Sequence, residues 1–474
     1  MLSGVGLAEL ATPNGGSAKM IAARRTPIQI ENARRGFRGW ASGLFVSSTT
    51  KATAPIQGYA SEVSAFPGNV LHLHVSVTPA ARYRIQVFRL GWYRGAGARL
   101  LGCIPGCRTS KRGIAQGIPT PDASTREIDA HWRVTDLLRT RTTWVSGYYI
   151  AKLVLLSGPA KGKVNFVPFI LEARARSSAI LVQASTNTWE AYNAWGGKSL
   201  YPFNSTGGVA ATKVSYNRPY DSAAGTLFNF EYPLVRFLER WGYDVSYTAD
   251  VDTDQNPSTL LRHHLVVDSG HGEYWTTRMR DAFESAKSSG VDLMFLGADM
   301  GDWHIRYEDG SRTIVEYRNA QLDPDPDPAA KTVRFSQLVP PRPQCQLLGI
   351  QYQGGFRSDF PQPTDYHVNP AALKNPWFAG SGFTGQSTLR GLVGYEWDGI
   401  KPGCEPPALT ALFHASGPPN ADAVVYRAAS GARVFSSGSL QFVWGLDDWN
   451  QSTHYADSHL IRFMRNAFND LSKG

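Results

Sequence analysis

Leu265-Val266-Val267, the glycine-rich Ser269-Gly270-His271-Gly272-Glu273-Tyr274-Trp275, a helical pattern from Thr276 to Ser288, and Val291-Asp292-Leu293-Met294-Phe295-Leu296 follow closely on one another, and the fold turns on them. The two apolar runs do not alternate, as expected of strands buried on both faces. Met279, Phe283 and Ala286 recur at helical spacing between them. Strand, loop, helix, strand predicts two parallel neighbours in one sheet. Working outward, Ala179 to Ala184 is a further run of the same kind. Leu234, Phe237, Leu238 and Trp241 mark a helix from Tyr232, with Gly242 at a C-capping position, and Tyr243 to Tyr247 follows as a strand. Pro257 and Ser258 open a short helix, Ala423 to Tyr426 and Gly431 to Phe435 read as strands, and Ser458 to Leu471 closes the chain as an amphipathic helix. Residues 176–474 are therefore expected to form a largely parallel sheet with helices on both faces and long loops, the most loop-rich stretch being Arg318 to Pro407.

The pattern before residue 176 is different. Val70 to Val77 alternates strictly, with Leu71, Leu73, Val75 and Val77 on one face and His72 and His74 on the other, polar one. Arg84 to Leu90 alternates next, Tyr148 to Leu155 gives a third run, and Asn165 to Leu171 contains Pro168, as an edge strand tolerates. Strands joined by turns without a helical pattern predict an antiparallel β-sandwich over 27–175. Residues 1–26 read as an N-terminal extension without a secretory signal.

Composition limits what such a chain does. Hydrophobic content of 42% and charged content of 18% are those of a globular protein with a sizeable core. The net charge of +9 is spread over the chain, and its densest basic stretches (Arg24-Arg25, Arg34-Arg35, Arg174 to Arg176) interleave with no row of aromatics, which argues against nucleic acid. No apolar run reaches the ~18 residues of a membrane span. Of four cysteines, Cys103 and Cys107 share a turn and Cys345 and Cys404 lie in Pro/Gly-rich loops. Two bridges would imply an oxidising compartment, whereas four free thiols fit the cytoplasm, so the compartment stays open.

In an open α/β sheet ligands bind outside the carboxyl ends of the strands. Three loops fall there: Thr188-Trp189-Glu190-Ala191-Tyr192-Asn193, Ser269 to Trp275, and Gly297-Ala298-Asp299-Met300-Gly301-Asp302-Trp303. The second stands where a glutamine-amidotransferase-like (Rossmann-like) α/β domain carries its nucleophile elbow, but neither Cys nor Ser occupies the nucleophile position. His271 and Glu273 are instead candidates for a metal ligand with its supporting partner, or for an acid–base pair. The plainer alternatives are a carboxylate complementing the Thr276 helix for Glu273 and core packing for Tyr192.

These loops, together with Gly196-Gly197-Lys198-Ser199-Leu200-Tyr201, Val214 to Tyr220 and Gly394-Tyr395-Glu396-Trp397-Asp398, resemble the C-terminal domain family of the N,N-dimethylformamidase large (beta) subunit. Arg89-Leu90-Gly91-Trp92-Tyr93-Arg94-Gly95 and Ser146-Gly147-Tyr148-Tyr149 resemble that family's Ig-like domain. The resemblance implies an Ig-like sandwich followed by an amidotransferase-like domain, an amide hydrolase, and a mononuclear iron (Fe3+) held by two tyrosines and a glutamate. Motif by motif these are Tyr149, Tyr192 and Glu273. Tyr148 is a rival to Tyr149; strand parity favours Tyr149, which shares a face with Ala151, Leu153 and Leu155, and places that face toward the α/β domain. His271, Asp299, Arg318 and Glu396 complete the implied catalytic set. Asp299 stands where the family usually has Asn, adding a negative charge, and Arg318 where it has Lys, changing donor geometry. The implied partner is a small-molecule amide, with a small subunit or a homo-oligomer left open. The alternative is a non-catalytic ligand- or glycan-binding protein using an aromatic rim of Trp189, Trp195, Trp275, Trp303 and Trp444.

Overall fold

The structure, a computed structural model, describes residues 25–44, 53–173, 178–221, 226–355, 364–415, 417, 420–449 and 453–473. The chain divides into a β region and a mixed α/β region. The linker expected at 175/176 lies outside the described residues, as do residues 1–24 of the extension.

In the β region, Ile56–Ala60, Val70–Val77 and Asp136–Arg139 form a three-stranded antiparallel sheet. It packs on a six-stranded sheet built around Arg82–Leu90, Gly147–Leu155 and Val164–Leu171. Leu71, Leu73, Val75, Val77, Ile85, Val87 and Tyr149 fill the space between them. His74 is buried, held by Ser61 and the Trp132 carbonyl, whereas His72 pairs with Glu62 at the half-exposed edge.

The α/β region is organised on a nine-stranded sheet. Val245–Ala249, Ile180–Ala184, Leu265–Gly270, Asp292–Gly297 and Arg433–Ser436 are parallel in that spatial order. Ala421–Arg427, Thr410–Ala415, Thr364–Val368 and Thr388–Val393 continue it antiparallel. The sheet is thus parallel in only one half. The strands in the stretch read as loop-heavy are short and interrupted by glycine and proline, so alternation is too brief to register. Helices Tyr232–Arg240, Thr277–Ser288 and Ser458–Leu471 cover the faces.

The outer face of the six-stranded sheet is apolar as well. Phe88, Leu90, Tyr148 and Ile150 join Trp189, Tyr232 and Tyr247 in one core across the two regions. At its margin Arg89 meets Glu239 at 2.7 Å, neither side chain being exposed. Asn32, in the Pro27–Asn32 helix, donates to the same carboxylate (2.7 Å), and Gln29 donates to Gly242 O (2.9 Å). The first helix is therefore fastened to the α/β region. Cys103 bonds Cys107, and Cys345 bonds Cys404. Among the described residues no helix is long and apolar enough to cross a membrane.

Candidate functional site

From Ile180–Ala184 the chain crosses to Val245–Ala249 on one side and returns to Leu265–Gly270 on the other, which creates a switch point. Turns at the carboxyl ends of these strands build the site. Gly270 has φ +81°, and a Cβ there would lie 2.5 Å from Cγ of Glu231, so glycine alone lets the strand turn sharply into His271 and Glu273.

Tyr192 caps the end of the Thr186–Ala191 helix. Buried polar pairs fix that helix: Asp250 accepts from Asn187 N (2.7 Å), and Arg218 meets Glu190 at 2.5 Å while donating to the Asn193 and Lys198 carbonyls. Asn204 donates to Tyr192 O (2.9 Å), drawing the next loop back so that the Tyr201 ring lies 4.3 Å from that of Tyr192.

Glu273 is the hub. Its Oε1 accepts from the Tyr201 hydroxyl at 2.6 Å, and its Oε2 lies 3.3 Å from His271 Nε2. The same nitrogen is 2.7 Å from Glu396 Oε2, on the Glu396–Gly399 strand. Neither contact is aligned as a hydrogen bond, so His271 Nε2, Glu273 Oε2 and Glu396 Oε2 are buried without a hydrogen-bond partner. Asp299 Oδ1 is in the same condition. Its residue sits at φ +55°, with the backbone N–H donated to both oxygens of Asp398 (2.9 and 3.2 Å). One ligand atom each from His271, Asp299 and Glu396 lies within 4.8 Å of the other two. On the far side, Arg318 Nη2 donates to the Tyr274 hydroxyl, which donates to that of Tyr201 (2.5 Å). The guanidinium is packed 4.1 Å from the Tyr201 ring centre and 4.6 Å from that of Trp303.

Burial raises the Tyr192 and Tyr201 phenols well above the ordinary tyrosine range, with the Glu273 charge adding to it. Burial likewise pushes Asp398 up to about 8 and Asp299 well up, Asp302 and Glu273 reinforcing the latter. For His271 burial acts downward, but the Glu396 and Glu273 carboxylates more than offset it and hold the imidazole at about 9. Without a cation, then, burial favours the protonated forms of these phenols and carboxyls. A bound cation inverts this logic by favouring the anions. Hard phenol and carboxylate oxygens beside one imidazole are a donor set suited to such an ion.

The structure brings Tyr192, His271, Glu273, Asp299, Arg318 and Glu396 into one site. It does not bring Tyr149. The Tyr149 hydroxyl donates to Val145 O (2.6 Å), and its ring stacks on Trp144 and Phe169 inside the sandwich. Tyr148, not Tyr149, faces the α/β region, where its hydroxyl donates to Glu231 (2.7 Å). Parity misleads here because Gly147–Leu155 is buried on both faces. Lys152, which shares the Tyr148 face, is buried too, its ammonium held by the Trp40 and Ser42 carbonyls. Tyr201, Tyr274, Asp302 and Asp398 do not stand out in the sequence as site residues, although all four lie within its motif-bearing loops. Of the tryptophans read as a rim, Trp189, Trp195, Trp275 and Trp444 are buried; Trp303 is half-buried between Arg318 and Arg334.

The fold and site define a mixed α/β protein whose polar centre, at the carboxyl ends of parallel strands, is made of phenols, carboxyls and one imidazole in place of a Cys or Ser nucleophile. The family model described as "N,N-dimethylformamidase beta subunit-like, C-terminal" matches residues 84–457, and the chain belongs to that family. No curated protein matches it. Among solved structures, the mmIFT52 N-terminal domain is similar over 50% of this chain and 87% of that one, at 13% identity and a TM-score of 0.29, too low to bear on the fold.

Proposed function

We propose that the chain is a metal-dependent amide hydrolase of the N,N-dimethylformamidase type, with iron held by Tyr192, Tyr201 and Glu273, on an Ig-like sandwich joined to an amidotransferase-like domain. The observation that carries this reading is the Glu273 carboxylate: buried, one oxygen on a phenol and the other without a hydrogen-bond partner. Tyr201 takes the place given to Tyr149 by motif. Iron, when bound, polarises an amide carbonyl and acidifies water.

The chain's own groups supply the proton transfers. Glu396, the more open carboxylate, accepts the proton released as water adds to the carbonyl carbon. His271, protonated at neutral pH, gives a proton to the amine nitrogen as the C–N bond breaks. Neutralising Glu273 brings His271 back toward neutrality, where an acid–base group works best. Arg318, through Tyr274, fixes the Tyr201 oxygen in place.

The test is metal analysis of the purified chain together with a search for a visible phenolate-to-iron absorption band. One iron per chain with a band that Tyr192→Phe and Tyr201→Phe each remove is the expected result. Iron retained with an unchanged band in both variants would overturn the ligand set.

A further inference from the structure

Glu273 points its two oxygens at two different groups of donors. Oε1 meets the phenols; Oε2 faces His271, and behind His271 stand Asp299 and Glu396. The acids around this second group have contacts of their own, although Asp302 Oδ2 and Glu316 Oε2 also lack a hydrogen-bond partner. Arg334 lies 3.0 Å from Asp302, Glu316 accepts the Arg318 backbone N–H (2.9 Å), and Asp398 takes that of Asp299. Asp299 Oδ1, Glu396 Oε2, Glu273 Oε2 and His271 Nε2 converge without an aligned hydrogen bond; the last three are in ion-pair contact (2.7 and 3.3 Å), whereas Asp299 Oδ1 has no opposing charge. A buried polar atom in the condition of Asp299 Oδ1 costs about 1–3 kcal/mol, more when charged, and its convergence with His271 and Glu396 favours a cation there.

We propose that His271, Asp299 and Glu396 form a second cation site, beside the iron proposed above, with Glu273 bridging the two through its separate oxygens. The proposal rests on that reading for the role of Glu273 Oε1. Ligands about 2 Å from a common ion lie within about 4 Å of one another, and the three donors need only a small closure from 4.8 Å to reach that. Glu396, the least buried of them, has the freedom to supply it. Two cations sharing a carboxylate sit about 3.5–4 Å apart, which is what one oxygen on each side of Glu273 provides for. One imidazole with two or three carboxylates selects a divalent first-row ion such as Zn2+ over Ca2+ or Mg2+, which take oxygen alone. Because His271 and Glu396 carry the proton transfers assigned above, a cation held by them and turnover exclude each other, and the second site is inhibitory.

The experiment adds Zn2+ to the whole chain as purified, removes free metal by gel filtration, and counts zinc and iron while recording the visible band. One retained zinc in addition to the iron, with the band unchanged, is expected. Asp299→Asn is close in shape and tolerates the left-handed backbone at this position; it should lower zinc affinity at least about tenfold and leave the band intact, as should Glu396→Gln. Equal zinc binding by wild type and both variants, or zinc that displaces iron one for one, overturns the second site. A chain without iron or band that still holds one zinc dependent on Asp299 upholds the second site and overturns the iron reading alone. Tyr192→Phe should remove the band and keep the zinc; loss of both in a variant with unchanged circular dichroism would show a single shared site.

Discussion

Two buried charged clusters in this chain are built on opposite plans. At the junction of the two regions, Arg89 and Glu239 saturate each other. The carboxylate takes two guanidinium N–H groups, Asn32 and the Tyr247 hydroxyl, and the guanidinium also reaches the Ser146 and Leu90 carbonyls. At the rim of the sheet, Glu273, Asp299, Glu396 and His271 leave polar atoms unmet. A cluster that satisfies itself is architecture; one that does not is arranged for something outside the chain. The two therefore ought to respond in opposite senses when a member is removed or the pH is changed.

The largest effect is expected at the junction. Glu239→Gln leaves the Arg89 guanidinium buried with no opposing carboxylate, and breaking a buried pair in this way costs ~3–5 kcal/mol. Urea denaturation monitored by circular dichroism measures it. A loss below about 1 kcal/mol would place the junction among ordinary surface pairs and remove the contrast.

Next comes pH. In the metal-free chain Asp398 and Asp268 are both held at about 8, chiefly by burial, against ~3.9 in an unfolded chain. Between those values the folded state binds more protons than the unfolded one, so the stability these groups contribute is complete below about pH 4 and lost as pH rises through about 8. His271, raised to about 9, acts in the same direction. Even half of one such shift, about two units at ~1.36 kcal/mol each, amounts to ~3 kcal/mol. The metal-free chain should accordingly unfold at lower urea at about pH 8 than at about pH 5, and metal should flatten the slope. A midpoint that rises with pH over this range would mean that these carboxyls are already charged in the fold.

Removing an unmet acid should run the other way from Glu239→Gln. Glu273→Gln keeps the Tyr201 hydrogen bond through its amide oxygen and removes a buried charge, so the metal-free chain should gain ~1–2 kcal/mol while losing iron. Destabilisation of the metal-free form by more than about 1 kcal/mol would make Glu273 a structural partner of Tyr201 and not a residue kept for a ligand.

What the sequence made legible follows from the length and continuity of its patterns. The runs at Ile180–Ala184, Leu265–Gly270 and Asp292–Gly297 are mostly apolar and separated by helices, so parallel pairing and rim position could be reasoned from them. Thr388–Val393 is short, contains Gly391 and runs into Gly394, and the antiparallel half of the sheet did not show. At the site, Glu273 and Tyr192 stand out because ionisable and aromatic residues sit among glycines at strand ends. Tyr201 does not, since nothing local reveals that Asn204 folds its loop back onto Tyr192. Tyr149 failed for a related reason: in a strand buried on both sides, alternation marks two faces without saying which neighbour each one meets.

That last residue gives the smallest effect and the sharpest separation. Tyr149→Phe removes one hydroxyl and leaves the Val145 carbonyl without its donor, while the ring keeps its stacking on Trp144 and Phe169. A neutral hydrogen bond of this kind is worth ~1 kcal/mol, so the loss in stability should be about that size. Tyr192→Phe removes the same atom from a site where it has other work, and the metal-free chain should change by less than about 1 kcal/mol. The two variants are therefore nearly alike in a denaturation experiment and unlike in metal content: Tyr149→Phe should keep iron and its absorption band in full, Tyr192→Phe neither. Loss of iron in Tyr149→Phe, with the fold retained, would mean that the sandwich reaches the site after all, and that the motif had assigned the ligand better than the geometry does.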